Sequence, residues 1–118
     1  MVKIAIFAAA AAVLAGQATA QVGTTCVPGQ FYCGFSLLQG PNQQLWTGRV
    51  NRALQERGLP TDSNHQFNSL FFCRDPTTLA LDEFCPGDPT IPGRRCQPAS
   101  SNFCGNGSTP NDCCGGNA

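Results

Sequence analysis

The stretch from Cys85 to Cys114, CPGDPTIPGRRCQPASSNFCGNGSTPNDCC, holds five of the chain's eight cysteines and five of its nine prolines. A segment with so many chain breakers and so few aliphatic residues builds no core of its own, so its cysteines must order it. Five is an odd number. At least one of Cys85, Cys96, Cys104, Cys113 and Cys114 must therefore bridge to Cys26, Cys33 or Cys73 and tie the tail to the front half. The doublet Cys113-Cys114 also raises metal ligation and thiol chemistry. A zinc site would show C-x2-C pairs or a cysteine pair with a histidine pair, and this chain has no C-x2-C and a single histidine. A reactive thiol needs a positive surround, whereas the doublet follows Asp112 and precedes two glycines. Structural staples remain. Adjacent cysteines strain a bridge between themselves, so each is expected to reach a different partner, with the connectivity left open.

At the opposite end, residues 1–20, MVKIAIFAAAAAVLAGQATA, show one positive charge at Lys3, an apolar run from Ile4 to Ala15 and the small triplet Ala18-Thr19-Ala20. That layout predicts a secretory signal peptide cleaved before Gln21; a run of this length is short for a membrane span. Residues 21–118 are then a single disulfide-stapled secreted domain, extracellular and monomeric. Four bridges at about 2–4 kcal/mol each supply on the order of 10 kcal/mol, as much as the whole stability of an ordinary small domain. With Lys3 removed, six arginines face seven acidic residues. So balanced a charge argues against nucleic acid or an anionic membrane as partner, since both demand clustered positive charge.

Along residues 21–118 the expected fold class is small disulfide-rich α+β: one main helix packed on a few short strands, followed by a loop-rich stapled C-terminal part. Phe31 to Leu37 alternates roughly and reads as an extended segment ended by Gly40-Pro41. The main helix lies in NQQLWTGRVNRALQERGLP, where Trp46, Val50, Ala53 and Leu54 form one apolar stripe. Asn42 is placed to cap its start, Arg52 and Glu56 are spaced for an i,i+4 pair, and Gly58 with Pro60 stops it. TDSNHQ reads as a polar loop, FNSLFFC as a buried strand, and RDPTTLALDEFC as a turn at Asp75-Pro76 followed by a second apolar segment.

Residues that could carry chemistry are few. His65 sits near Asp62 and Ser63, but without a flanking motif it reads as an exposed loop histidine. Asp82-Glu83 would need a partner carboxylate and a cleft for which so short a chain has little room. The chain is read as a non-enzyme with no cofactor and no metal. Trp46 is weighed as a partner anchor, with core packing the heavier reading. The loop between Cys85 and Cys96, with Ile91, Arg94 and Arg95, is stiffened by proline and anchored by cysteine, so a partner meeting it faces a smaller ordering cost. The dibasic pair reads first as solvated surface, then as an inhibitor's contact with an acidic protease pocket or as a processing site. Asn106-Gly107-Ser108 is an N-glycosylation sequon and implies an exposed turn.

The arrangement C-x-P-G-x-F-x-C-G-x-x-L-L from Cys26 to Leu38, followed by an amphipathic helix, SLFFC and cysteines spaced to the end, resembles the small secreted cysteine-rich proteins of filamentous fungi. Many of these are candidate effectors in virulence toward plants. The resemblance covers the layout of most of residues 21–118 and is sharpest in its first part. It implies a non-enzymatic protein that binds an extracellular host protein or a cell-wall carbohydrate. The alternatives are a small protease inhibitor acting through the Cys85 to Cys96 loop and a toxin against competing microbes.

Overall fold

The computed structural model describes residues 23–91 and 93–116, so the expected signal peptide, residues 1–20, and its cleavage site lie outside the described residues. The fold is organised by a strand that is apolar on both sides. β2 (Ser69–Asp75) pairs antiparallel with β1 (Phe31–Cys33) and with β3 (Thr78–Phe84), giving the order β1-β2-β3. Side chains alternate across a strand. Tyr32, Phe71, Cys73, Leu79 and Leu81 accordingly enter one core, while Cys33 and Leu70 enter another with Cys85 and Cys96. This explains why Leu70 to Cys73 is continuously apolar. It is a central strand covered on both faces, the pattern that a half-solvated strand would lack.

The first core is closed by the main helix, α2 (Gln43–Glu56), which follows the short helix α1 (Gly34–Leu37). The predicted stripe is the buried one: Trp46, Val50, Ala53 and Leu54 all face inward. Gly58, at φ 71°, ends the helix. Its N–H donates to the Gln55 carbonyl and the Leu59 N–H donates to the Leu54 carbonyl, the paired bonds that let a chain leave a helix with its last carbonyls satisfied. Arg52 and Glu56 form the expected surface pair at 3.7 Å. Asn42 stands at the N-cap position, but its side chain makes no capping bond; its backbone carbonyl accepts from Trp46 N–H instead.

Two expectations about local structure are corrected. The extended segment stops at Cys33, and Gly34 begins a helical turn. The cause is tertiary: Gly34 lies so close to the Gln66 backbone that a Cβ would stand 1.6 Å from the Gln66 carbonyl oxygen. The polar loop is in fact mostly a helix, α3 (Ser63–Asn68). Asp62 caps it, its carboxylate accepting from the His65 N–H at 2.8 Å.

The second core is closed by the tail. β4 (Arg95–Gln97) and β5 (Cys113–Gly115) form an antiparallel ribbon with Cys96 opposite Cys114. All eight cysteines are paired, as Cys26–Cys73, Cys33–Cys96, Cys85–Cys114 and Cys104–Cys113. The doublet does reach two different partners, and Cys96 is the tail cysteine that bridges to the front half. The result is three layers: helix, three-stranded sheet and disulfide-stapled cap. Four disulfides in so small a fold suit an extracellular protein. Among the described residues no helix is long and apolar enough to cross a membrane.

Candidate functional site

The cap is fastened to the sheet by a buried carboxylate. Asp112, 9% exposed, accepts from the Cys33 N–H and the Ser36 hydroxyl through Oδ2, both at 2.8 Å, and from the Ala99 N–H through Oδ1 at 2.9 Å. Its own N–H donates to the Phe31 carbonyl, and the neighbouring Asn111 Oδ1 accepts from the Phe31 N–H at 2.8 Å. Two consecutive tail residues thus satisfy the open edge of β1, which would otherwise offer unpaired groups to solvent or to another chain. In the sequence Asp112 stands only as the negative neighbour of the doublet; nothing in NDCC marks an acid that binds backbone 79 residues away.

From this frame the Cys85 to Cys96 loop projects with both ends fixed. Cys85 is tied to β5 through Cys114, and Cys96 to β1 through Cys33. Between them the chain folds into successive turns. The Asp88 carboxylate accepts from the Thr90 N–H at 2.9 Å and from the Thr90 hydroxyl at 2.6 Å, bonds that hold its carboxyl below the ordinary value, the hydroxyl contributing most. Ile91 N–H donates to the Asp88 carbonyl, and Arg94 N–H to the Ile91 carbonyl.

The two arginines of this loop have separate fates. The Arg94 guanidinium turns inward to Glu83 on β3, and it also donates to the Cys85 carbonyl at 3.4 Å, so it serves as an internal strut. Arg95 is exposed on β4, opposite Gly115. Residues opposite one another in an antiparallel pair share a face. A Cβ at Gly115 would meet the Phe103 side chain at 2.6 Å, so Phe103 stands over Gly115 on the face that carries Arg95. The outer face of the cap therefore presents an arginine and a ring that is 51% exposed, with the 37% exposed Ile91 on the turn leading into the same strand. Sequence reasoning misses Phe103, because one phenylalanine in a breaker-rich tail carries no periodicity.

The remaining expected residues fall elsewhere. Trp46 is fully buried, with its indole N–H donating to the Gly23 carbonyl at 2.7 Å and Arg49 lying over the ring. It is a core residue and is withdrawn as a partner anchor. His65 is a half-buried helix residue and no loop histidine: its ring stacks on Phe84 at 3.9 Å and its Nδ1 lies 2.8 Å from Asp62 Oδ1. That acid is held below its ordinary value, chiefly by the His65 N–H and then by the ring. Among the described residues no hydroxyl or thiol is hydrogen-bonded to the other ring nitrogen. Asp82 is pushed up by burial and then by Glu83 beside it, but Glu83 is committed to Arg94. A shallow depression between α2 and β3 is lined by Arg49, Arg52, Glu56, Thr77, Thr78 and Leu79. No set of three His, Cys, Asp or Glu among the described residues is grouped to hold a metal ion. Asn106 is exposed in a turn, as its sequon implied.

Compared with protein-family models, with curated proteins and with solved structures, the chain matches none.

Proposed function

We propose that this is a non-enzymatic extracellular recognition protein of the effector-like kind, which binds a host protein through the cap. The observation that carries the reading is the loop from Cys85 to Cys96: disulfide-anchored at both ends, closed by turn hydrogen bonds and braced by Arg94 on Glu83, it offers Ile91 and Arg95 to solvent. An immobilised loop loses little conformational freedom on association, and an arginine beside an apolar side chain is a common composition for an interface centre. A cell-wall carbohydrate is the other ligand class to test on the same surface.

The inhibitor alternative draws less support from this geometry. Arg94 is engaged with Glu83, Arg95 sits in a paired strand, and the segment between Asp88 and Arg94 is coiled into turns instead of extended for a protease cleft.

The test uses the oxidised secreted protein immobilised as bait for extracellular fluid and cell-wall fractions of host tissue, beside a variant carrying Ile91→Asp and Arg95→Glu. A single host protein retained by the wild type and lost in the variant supports the proposal. Equal retention by the variant, or retention of polysaccharide alone, overturns it. Stoichiometric inhibition of a trypsin-like protease, abolished by Arg95→Glu, would transfer the assignment to the inhibitor reading.

A further inference from the structure

The exposed ring of Phe103 has a glycosylation signal three residues downstream, in Phe103-Cys104-Gly105-Asn106-Gly107-Ser108. The backbone here is tightly bound to itself. The N–H groups of Cys104 and Asn106 both donate to the Ser101 carbonyl, at 3.1 and 2.9 Å, and Gly107 N–H donates to the Ala99 carbonyl at 2.7 Å. Ser108 N–H donates to the Gly105 carbonyl at 3.0 Å across Asn106 and Gly107, whose φ angles are 57° and 83°. Two central residues at positive φ define a type I′ turn, for which Asn-Gly is the favoured pair. The Asn106 side chain thus leaves the surface in a direction fixed by four backbone hydrogen bonds.

Phe103 is fixed in the same way. Its side chain is seated on Gly115, and the rest of the ring faces solvent. Three residues of chain span at most about 11 Å when extended. Here the span is shorter, because Asn106 and Cys104 fold back onto one carbonyl. The ring and the Asn106 side chain thus leave one short, folded stretch of backbone, and both residues are exposed to solvent. A pyranose has a face of C–H groups, and an aromatic ring has an electron-rich face, so the two attract beyond simple burial.

We infer that Asn106 carries an N-linked glycan whose first N-acetylhexosamine lies on the exposed face of Phe103, making the sugar a structural part of the cap. In its attachment the Asn106 Nδ2 forms a bond to the anomeric carbon of a lipid-linked oligosaccharyl diphosphate. The bond from that carbon to the diphosphate breaks, the lipid diphosphate leaves with the electron pair, and the amide releases one proton. The inference goes beyond the partner-binding reading: it assigns Phe103 to the chain's own glycan and leaves Ile91 and Arg95 for a partner.

The full chain is secreted from a eukaryotic host and trimmed by an endoglycosidase that leaves a single N-acetylglucosamine. The control without sugar is Ser108→Ala, which keeps Asn106 in its turn, and each form is made with and without Phe103→Ala. The trimmed sugar is expected to lower the unfolding equilibrium constant about two- to tenfold, and to have no effect once Phe103 is alanine. In the proton spectrum the acetamido methyl of the trimmed sugar moves upfield, and returns to its free position in Phe103→Leu, which keeps the apolar volume without a ring. An unmodified Asn106 in the secreted protein, or a sugar whose stabilisation and methyl shift survive loss of the ring, overturns the inference.

Discussion

Replacing Asp112 by alanine strands two buried backbone donors at once, the N–H groups of Cys33 and Ala99, together with the Ser36 hydroxyl. Hydrogen bonds to an ionised acceptor contribute about 1.5–3 kcal/mol each, and a buried donor left alone costs about as much. Counting only the two backbone bonds, the loss is about 3–6 kcal/mol, a large share of the stability of a small domain. The isosteric change Asp112→Asn removes one of the two acceptor oxygens. The amide has one oxygen, so it accepts on the Cys33 side or on the Ala99 side, and its NH2 group then faces the other donor. The cost should be about half that of alanine. Guanidinium unfolding with the disulfides intact, followed by the emission of the fully buried Trp46, measures both. With a slope of about 3 kcal/mol per molar, the midpoint should fall by about 1–2 M for Asp112→Ala and about 0.5–1 M for Asp112→Asn. Reduced and non-reduced masses establish that all four bridges have formed in each variant. If Asp112→Ala unfolds within about 0.2 M of the wild type, the carboxylate does not hold the cap, and water has replaced it at no cost.

Three further outcomes follow from the same geometry. Asp62, Asp75 and Asp88 are all held below the ordinary 3.8, chiefly by hydrogen bonds from His65, Thr77 and Thr90 respectively. The stability they lend is complete above about pH 4 and drains as pH falls through their lower folded values, while Asp82, raised by burial, acts in the opposite sense. The unfolding midpoint should therefore decline from about pH 4 to about pH 2, and a flat profile there would contradict these hydrogen bonds. Gly34→Ala, whose new Cβ meets the Gln66 carbonyl, should cost about 3 kcal/mol or more and show as a lowered thermal midpoint; wild-type melting would mean that α1 and α3 do not approach as described. Serine replacement of the Cys33–Cys96 pair, which closes a separation of 63 residues, should cost about 4 kcal/mol. The same change at Cys104–Cys113, with a separation of 9, should cost about 3 kcal/mol and leave the near-ultraviolet spectrum of the core intact. The reverse order of sensitivity would show that the short bridge orders the fold.

The main helix is legible in the sequence because its signals are local: the Trp46, Val50, Ala53 and Leu54 spacing and the Gly58 stop all lie within one segment. FNSLFFC is legible as a buried strand for the same reason, but only from Ser69 onward, since Phe67 and Asn68 close α3. The turn of helix at Gly34 is not, because its cause is the Gln66 backbone, 32 residues away, and apolar spacing in FYCGFSLL fits either conformation. α3 escapes notice because SNHQFN has no apolar stripe; what holds it is the Asp62 cap and the stacking of His65 on Phe84. The proposed partner surface is half legible. Ile91 and Arg95 can be named from the loop, but the division between Arg94 as strut and Arg95 as solvent-facing depends on where Glu83 falls in β3.

The four bridges have a consequence for the molecule as a connected object. The intervals 26–73, 33–96 and 85–114 overlap in series, so every peptide bond between Cys26 and Cys114 is spanned by at least one sulfur link. Backbone and bridges together form a graph that no single cut between those residues can divide. A protease that opens the chain at Arg94-Arg95 converts it into a two-chain protein, heavier by one water and separable only by reduction.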